Sequence, residues 1–109
     1  MLEFNQSLTT GAILTETRPW GKFEVLLDAK DVKVKRITVN PGQRLSYQYH
    51  EKRAEIWTVV SGILTIILED EKLFRGKGQS ARIPQGDAHR AWNETDTPSN
   101  KEISDYYQT

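Results

Sequence analysis

No apolar stripe in this chain holds the 3.6-residue period of a helix, and that constrains its fold more than any other feature. What recurs instead are short runs rich in Val, Ile, Thr and aromatic residues, separated by turn residues. Residues 22–27 (KFEVLL) and Val32–Val39 (VKVKRITV) are the first two, with a turn over 28–31 between them. Asn40-Pro41-Gly42 breaks the chain before runs at 44–50 and 55–60. Ser61-Gly62 leads into the apolar run Ile63–Leu68. Glu69-Asp70-Glu71 makes a polar turn ahead of 72–74, Gly76 and Gly78 precede Ser80–Ile83, and runs at 88–93 and 103–107 complete the series. About nine short strands at this spacing predict an all-β sandwich or barrel. Residues 1–17 are polar and small, without a period, and read as an N-terminal arm; 18–109 is then the folded domain. Residues 93–100 (NETDTPSN) have the composition of a surface loop.

A chain of 109 residues fits one domain. A core of that size is small, so subunit pairing would add useful burial. Fifteen basic and fifteen acidic residues are interspersed, which argues against a nucleic-acid binder. No stretch approaches the roughly 18 apolar residues of a membrane span. Residues 1–14 do not form a secretory signal, so a cytoplasmic location is expected. Cysteine is absent, which excludes disulfides and thiolate metal sites. Any metal must be held by nitrogen and oxygen.

Only two histidines are present, His50 and His89. Gln48 precedes His50 by two, so in a strand both side chains face one side. Glu55 follows a tight turn and can return to the same wall, with Trp57 and Val59 sharing its face. His89 follows the turn Pro84-Gln85-Gly86-Asp87. Two imidazoles, a carboxylate and an amide oxygen suit Zn²⁺, Mn²⁺ or Fe²⁺. Read from spacing alone, they can equally be partly exposed polar residues on separate strands.

The wider pattern adds to this. Gly42 to Gly62 (GQRLSYQYHEKRAEIWTVVSG) resembles the first cupin motif, G-x5-H-x-H-x3,4-E-x6-G, with Gln48 at the first histidine position. Gly78 to Asn93 (GQSARIPQGDAHRAWN) matches the second, G-x5-P-x-G-x2-H-x3-N, at every fixed position. The resemblance implies a single-domain cupin, a double-stranded β-helix or jelly-roll barrel. It implies one divalent metal ion, zinc first with Mn, Fe, Ni or Co as alternatives, on Gln48, His50, Glu55 and His89. Within cupins the chain is most similar to the cupin domain of type II phosphomannose isomerases, often fused to a mannose-1-phosphate guanylyltransferase. Arg18-Pro19-Trp20-Gly21, residues 33–37 (KVKRI), 41–45 (PGQRL), Arg53-Ala54-Glu55, Trp57, Val60-Ser61-Gly62, Ile83-Pro84 and His89-Arg90 carry that likeness. It departs from the family at Glu51 and Lys52, and often at Ile56, where histidines are usual.

What the resemblance implies is interconversion of mannose 6-phosphate and fructose 6-phosphate, a step in sugar-nucleotide and polysaccharide precursor metabolism. The alternative is a cupin that binds metal and sugar, or regulates, without turnover. An aldose–ketose exchange needs a proton-moving base, for which Glu51 or a metal-bound water are candidates. The phosphate needs cations, and Lys35, Arg36, Arg44 and Arg53 are candidates. Arg44 comes first, because in a continuous strand it shares parity with Gln48 and His50. Trp57 is expected in the core or lining the pocket, Trp20 to close one barrel end or meet a partner, and Trp92 to pack on the outer layer or at an interface. Exposed β edges suggest a homodimer.

Overall fold

The computed structural model describes residues 13–107, with side chains described for 13–99; expectations for residues 1–12 lie outside that range. Nine strands follow in order: β1 (Leu14–Arg18), β2 (Gly21–Asp28), β3 (Val32–Val39), β4 (Arg53–Ser61), β5 (Ile63–Leu68), β6 (Glu71–Gly76), β7 (Ser80–Ile83), β8 (His89–Trp92) and β9 (Ser99–Tyr107). They form a six-stranded sheet, β1-β2-β3-β9-β4-β7, and a three-stranded sheet, β6-β5-β8, every pairing antiparallel. Period-two alternation decides which side chains go inside. In β4, Glu55, Trp57 and Val59 are buried while Ile56 points out; in β7, Ala81 and Ile83 are buried and Ser80 and Arg82 are exposed.

The core lies between the sheets. Ile37, Val39, Trp57 and Val59 of the larger sheet meet Leu64, Ile66 and Ala91 of the smaller, with Ala81 and Ile83 completing the cluster. Leu64 and Ile66 are essentially sealed from solvent. Burial of that kind contributes about 2–3 kcal/mol for each large aliphatic side chain.

The structure differs from the sequence expectation chiefly at two places, besides β9 starting at Ser99 inside the expected loop 93–100 and β4 at Arg53. Residues 14–17, expected within the arm, belong to β1, which pairs with β2 from Leu14↔Val25 to Arg18↔Gly21. Residues 44–50, expected as a strand, form no strand. They run beside β8 and touch it through two isolated bridges, Arg44↔Trp92 and Gln48↔His89. Four steps on one side therefore face three on the other. The extra residue breaks the ladder and changes which face each side chain takes.

Asn93, the last fixed residue of the second motif, is a structural anchor. Its fully buried side chain donates from Nδ2 to the carbonyls of Val39 (2.8 Å) and Thr97 (2.7 Å), while Oδ1 accepts from the amide and hydroxyl of Thr95. It thereby pins the loop between β8 and β9 onto β3. Asn93→Ala strips the donors from two carbonyls. It is expected to lower the unfolding free energy by about 3 kcal/mol, measured as a reduced urea midpoint with unchanged m. A loss under about 0.5 kcal/mol would remove Asn93 from this role.

Candidate metal centre

His50, Glu55 and His89 converge, each offering one ligand atom, and those atoms all lie within 4.8 Å of one another. Each arrives on a different piece of backbone. Glu55 sits on β4 and is held by its neighbour two residues on, as Trp57 Nε1–H donates to Glu55 Oε1 at 2.8 Å. His89 opens β8 and stands edge-on to the Trp57 ring, with centroids 5.5 Å apart. His50 is placed by the turn preceding His89: the Gly86 amide donates to the His50 carbonyl at 2.8 Å, and the Gln85 side-chain amide donates to the Glu51 carbonyl. The two imidazole centroids are 5.1 Å apart. Gln48 joins through its backbone, exchanging both main-chain hydrogen bonds with His89, so their side chains share a face. Its Nε2 donates to Ser46 Oγ at 3.2 Å, which leaves the amide oxygen to accept.

Hydrogen bonding defines the imidazole tautomers. His89 Nδ1 lies 2.8 Å from the Asp87 carbonyl, which can only accept, so Nδ1 carries the proton. His89 Nε2 lies 3.6 Å from Glu55 Oε1. Burial, and then the guanidinium of Arg53, push the pKa of His50 below the usual imidazole range. A neutral imidazole is the form that binds a metal. The donor set, two imidazole nitrogens and a carboxylate, with Gln48 lining the same cavity, fits a divalent transition ion.

The cluster lies in a cavity of about 330 Å³. Lys35, Arg53 and Trp57, all expected at the site, line it. Three other expected contributors lie elsewhere. Arg44 follows its bridge partner Trp92 rather than Gln48, with its guanidinium 5.5 Å from the Trp92 ring centre, outside the cavity. The extra residue between the two bridges is the reason, since parity assumed an unbroken strand. Arg36 alternates with Lys35 and Ile37, which line the cavity, and so faces the other way. Glu51 is exposed and absent from the cavity lining; it borders a more open depression with Tyr49 and Lys52, and His50 and Arg53 line both. Ile56, where a histidine is usual in the resemblance, is on the outward face of β4, so that departure removes nothing from the cavity.

The sequence reading missed Arg18 and Phe23. Both line the cavity, with the Arg18 guanidinium 5.2 Å and the Lys35 ammonium 5.8 Å from the Phe23 ring centre. The available signal was parity, because Phe23↔Ile37 pairs two inward residues across β2 and β3. Nothing in the sequence marked the Asp87 carbonyl that orients His89. Trp20 packs against the core and lines the cavity, while Trp92 lies half-buried on the outer face between Arg44 and Lys72.

Two facing antiparallel sheets, with both motifs delivering donors to one interior cluster, define a cupin. The chain belongs to the family described as mannose-6-phosphate isomerase C-terminal, which matches residues 7–104. Xanthan biosynthesis protein XanB of Xanthomonas campestris pv. campestris (strain B100) is 46% identical over 76 residues, covering 70% of this chain and 16% of that protein. Mannose-1-phosphate guanylyltransferase ManC of Salmonella typhimurium is 43% identical over 72 residues, covering 66% and 15%. The chain thus spans under a fifth of the length of these relatives. Among solved structures, a sugar phosphate isomerase of the cupin superfamily from Silicibacter pomeroyi superposes with a TM-score of 0.68 at 21% identity, over 79% of this chain and 60% of that one. No helix among the described residues is long and apolar enough to cross a membrane.

Proposed function

We propose that this domain is a metal-dependent sugar-phosphate isomerase that interconverts mannose 6-phosphate and fructose 6-phosphate, with zinc the first choice of ion. The observation that carries the reading is a cluster of His50, Glu55 and His89 able to hold a metal ion, inside a cavity that also presents cations, in a chain of the mannose-6-phosphate isomerase C-terminal family. Bound at His50, Glu55, His89 and Gln48, the ion would supply Lewis acidity to the C1–C2 oxygens as the proton moves between the carbons. Trp57 and the Asp87 carbonyl hold Glu55 and His89 in fixed orientation, so the donors need little reorganisation. Arg18 and Lys35, grouped around Phe23, replace Arg44 as the groups that receive the phosphate.

A second reading, binding without turnover, rests on one observation: among the described residues, Glu55 is the only carboxylate lining the cavity. A dedicated base is not evident beside it, and Glu51 lies outside. One experiment separates the two. Protein loaded in turn with Zn, Mn, Fe, Ni and Co is assayed for conversion of mannose 6-phosphate, with binding followed in parallel by titration calorimetry. The isomerase reading expects turnover with at least one ion, and Arg18→Gln with Lys35→Met to weaken the phosphosugar at least tenfold more than free mannose. Tight binding with no conversion under any ion would select the second reading.

A further inference from the structure

Arg53 opens β4 and shares the face of Glu55 and Trp57. Its Nε–H donates to Glu55 Oε2 at 3.1 Å. One of its terminal nitrogens lies 3.1 Å from the same oxygen and 2.9 Å from His50 Nε2. A guanidinium has donors only, so His50 Nε2 is the acceptor in that contact. One planar cation therefore engages lone pairs on two of the three clustered ligand residues. Glu55 is 4% exposed, and a carboxylate buried that deeply requires a positive partner.

The His50 Nε2 lone pair is one a divalent ion would take; on Glu55 the guanidinium holds Oε2, while Oε1 lies toward His89. Guanidinium and metal cannot both have the His50 nitrogen, and their like charges compete for one carboxylate. We propose that Arg53 is an internal cation that competes with the metal: it holds His50 and Glu55 together, and metal entry requires it to withdraw into the cavity. Arg53 is then a positioning residue toward the metal, not one of its ligands. The sequence puts Arg53 among the candidate substrate-binding groups; in the structure it lines the cavity and bonds to His50 and Glu55. The inference rests on the metal-centre reading given above.

Two consequences follow with opposite signs. Removing Arg53 takes away the cation that the ion would have to displace from His50 and Glu55, so metal affinity rises. The same removal takes the counterion from a buried carboxylate, so the protein without metal becomes less stable. A residue that merely supports the fold, or a metal ligand, would weaken both properties.

The test compares wild type with Arg53→Met and Arg53→Lys in chelator-treated buffer. Zn²⁺ and Mn²⁺ affinities are measured by titration calorimetry, and thermal unfolding is followed with and without metal. Arg53→Met is expected to bind the ion at least tenfold tighter and to unfold several degrees lower without it. Saturating metal should restore most of that loss. Arg53→Lys keeps the charge without the two-pronged geometry and should fall between the two. It decides the matter if Arg53→Met does not fold without metal: affinity above wild type supports competition. Equal or weaker metal binding in the variants would overturn the competition while leaving the metal centre intact. Absence of binding in wild type and variants alike would overturn both.

Discussion

Protein loaded with a divalent metal and then desalted is expected to carry close to one ion per chain, and the His50→Ala, His89→Ala double variant to carry none. Both imidazoles supply nitrogen donors within 4.8 Å of the Glu55 carboxylate, and without them only a carboxylate and an amide oxygen remain. Such oxygens alone are poor competitors for a borderline-soft ion that favours imidazole. Loss of an outer-shell partner typically costs 10- to 100-fold in metal affinity, and loss of two direct ligands should exceed that. His89 is buried beside Trp57, so its removal also opens a small cavity. Circular dichroism should accompany elemental analysis, so that loss of metal is read on folded protein. Full metal content in the folded double variant would dismantle the assignment.

Gly21→Ala is expected to be the most damaging glycine-to-alanine change among the described residues. Gly21 has φ +149° at the start of β2, and a Cβ built there would lie 2.0 Å from the Thr38 carbonyl oxygen and 3.0 Å from its carbon. Both atoms are backbone, so no side chain can rotate aside. Relief requires β2 and β3 to part where Gly21 pairs with Val39 and where the Asn40 amide donates to the Trp20 carbonyl. That region supports Phe23 and one wall of the cavity. A loss of about 4 kcal/mol or more is expected, a large part of a small domain's stability. Gly42→Ala is the control. Its φ is +76°, but a Cβ there meets nothing within 4 Å, so only the left-handed backbone penalty of about 1–2 kcal/mol applies. Equal losses in the two variants, by chemical denaturation, would refute the steric argument.

Where burial imposes alternation, the sequence was a good guide. Glu55, Trp57 and Val59 fall on one face of β4 as period two requires, and the apolar run of β5 places Leu64 and Ile66 in the core. The donors His50, Glu55 and His89 were legible through the likeness to the two cupin motifs, since spacing alone left them open as polar residues on separate strands. Strand β1 was not. Its sequence LTETR is exposed or half-exposed throughout, since an edge strand need not bury a face, and it carries no hydrophobic period to detect. Arg44 failed differently. Parity extrapolates only along an unbroken ladder, and the residue inserted between the two bridges to β8 sends Arg44 to Trp92. The engagement of Arg53 with His50 depends on how the turn before β4 folds back, which spacing does not record.

The position of β9 has a consequence for how the chain comes together in time. It lies between β3 and β4, strands separated from it by some sixty and forty residues, and it hydrogen-bonds to both. During synthesis at about 5–20 residues per second, β3 and β4 are therefore complete for seconds before the strand that joins them exists. Throughout that interval each presents an open edge beside core residues not yet covered, the condition under which strands pair with the wrong neighbour. The hairpins β2–β3 and β5–β6 close locally and early, whereas the larger sheet waits for its central strand. Refolding should accordingly be slow for a chain of this size. Until residues 99–107 are in place, the pairings that join β3 to β4 through β9 cannot form.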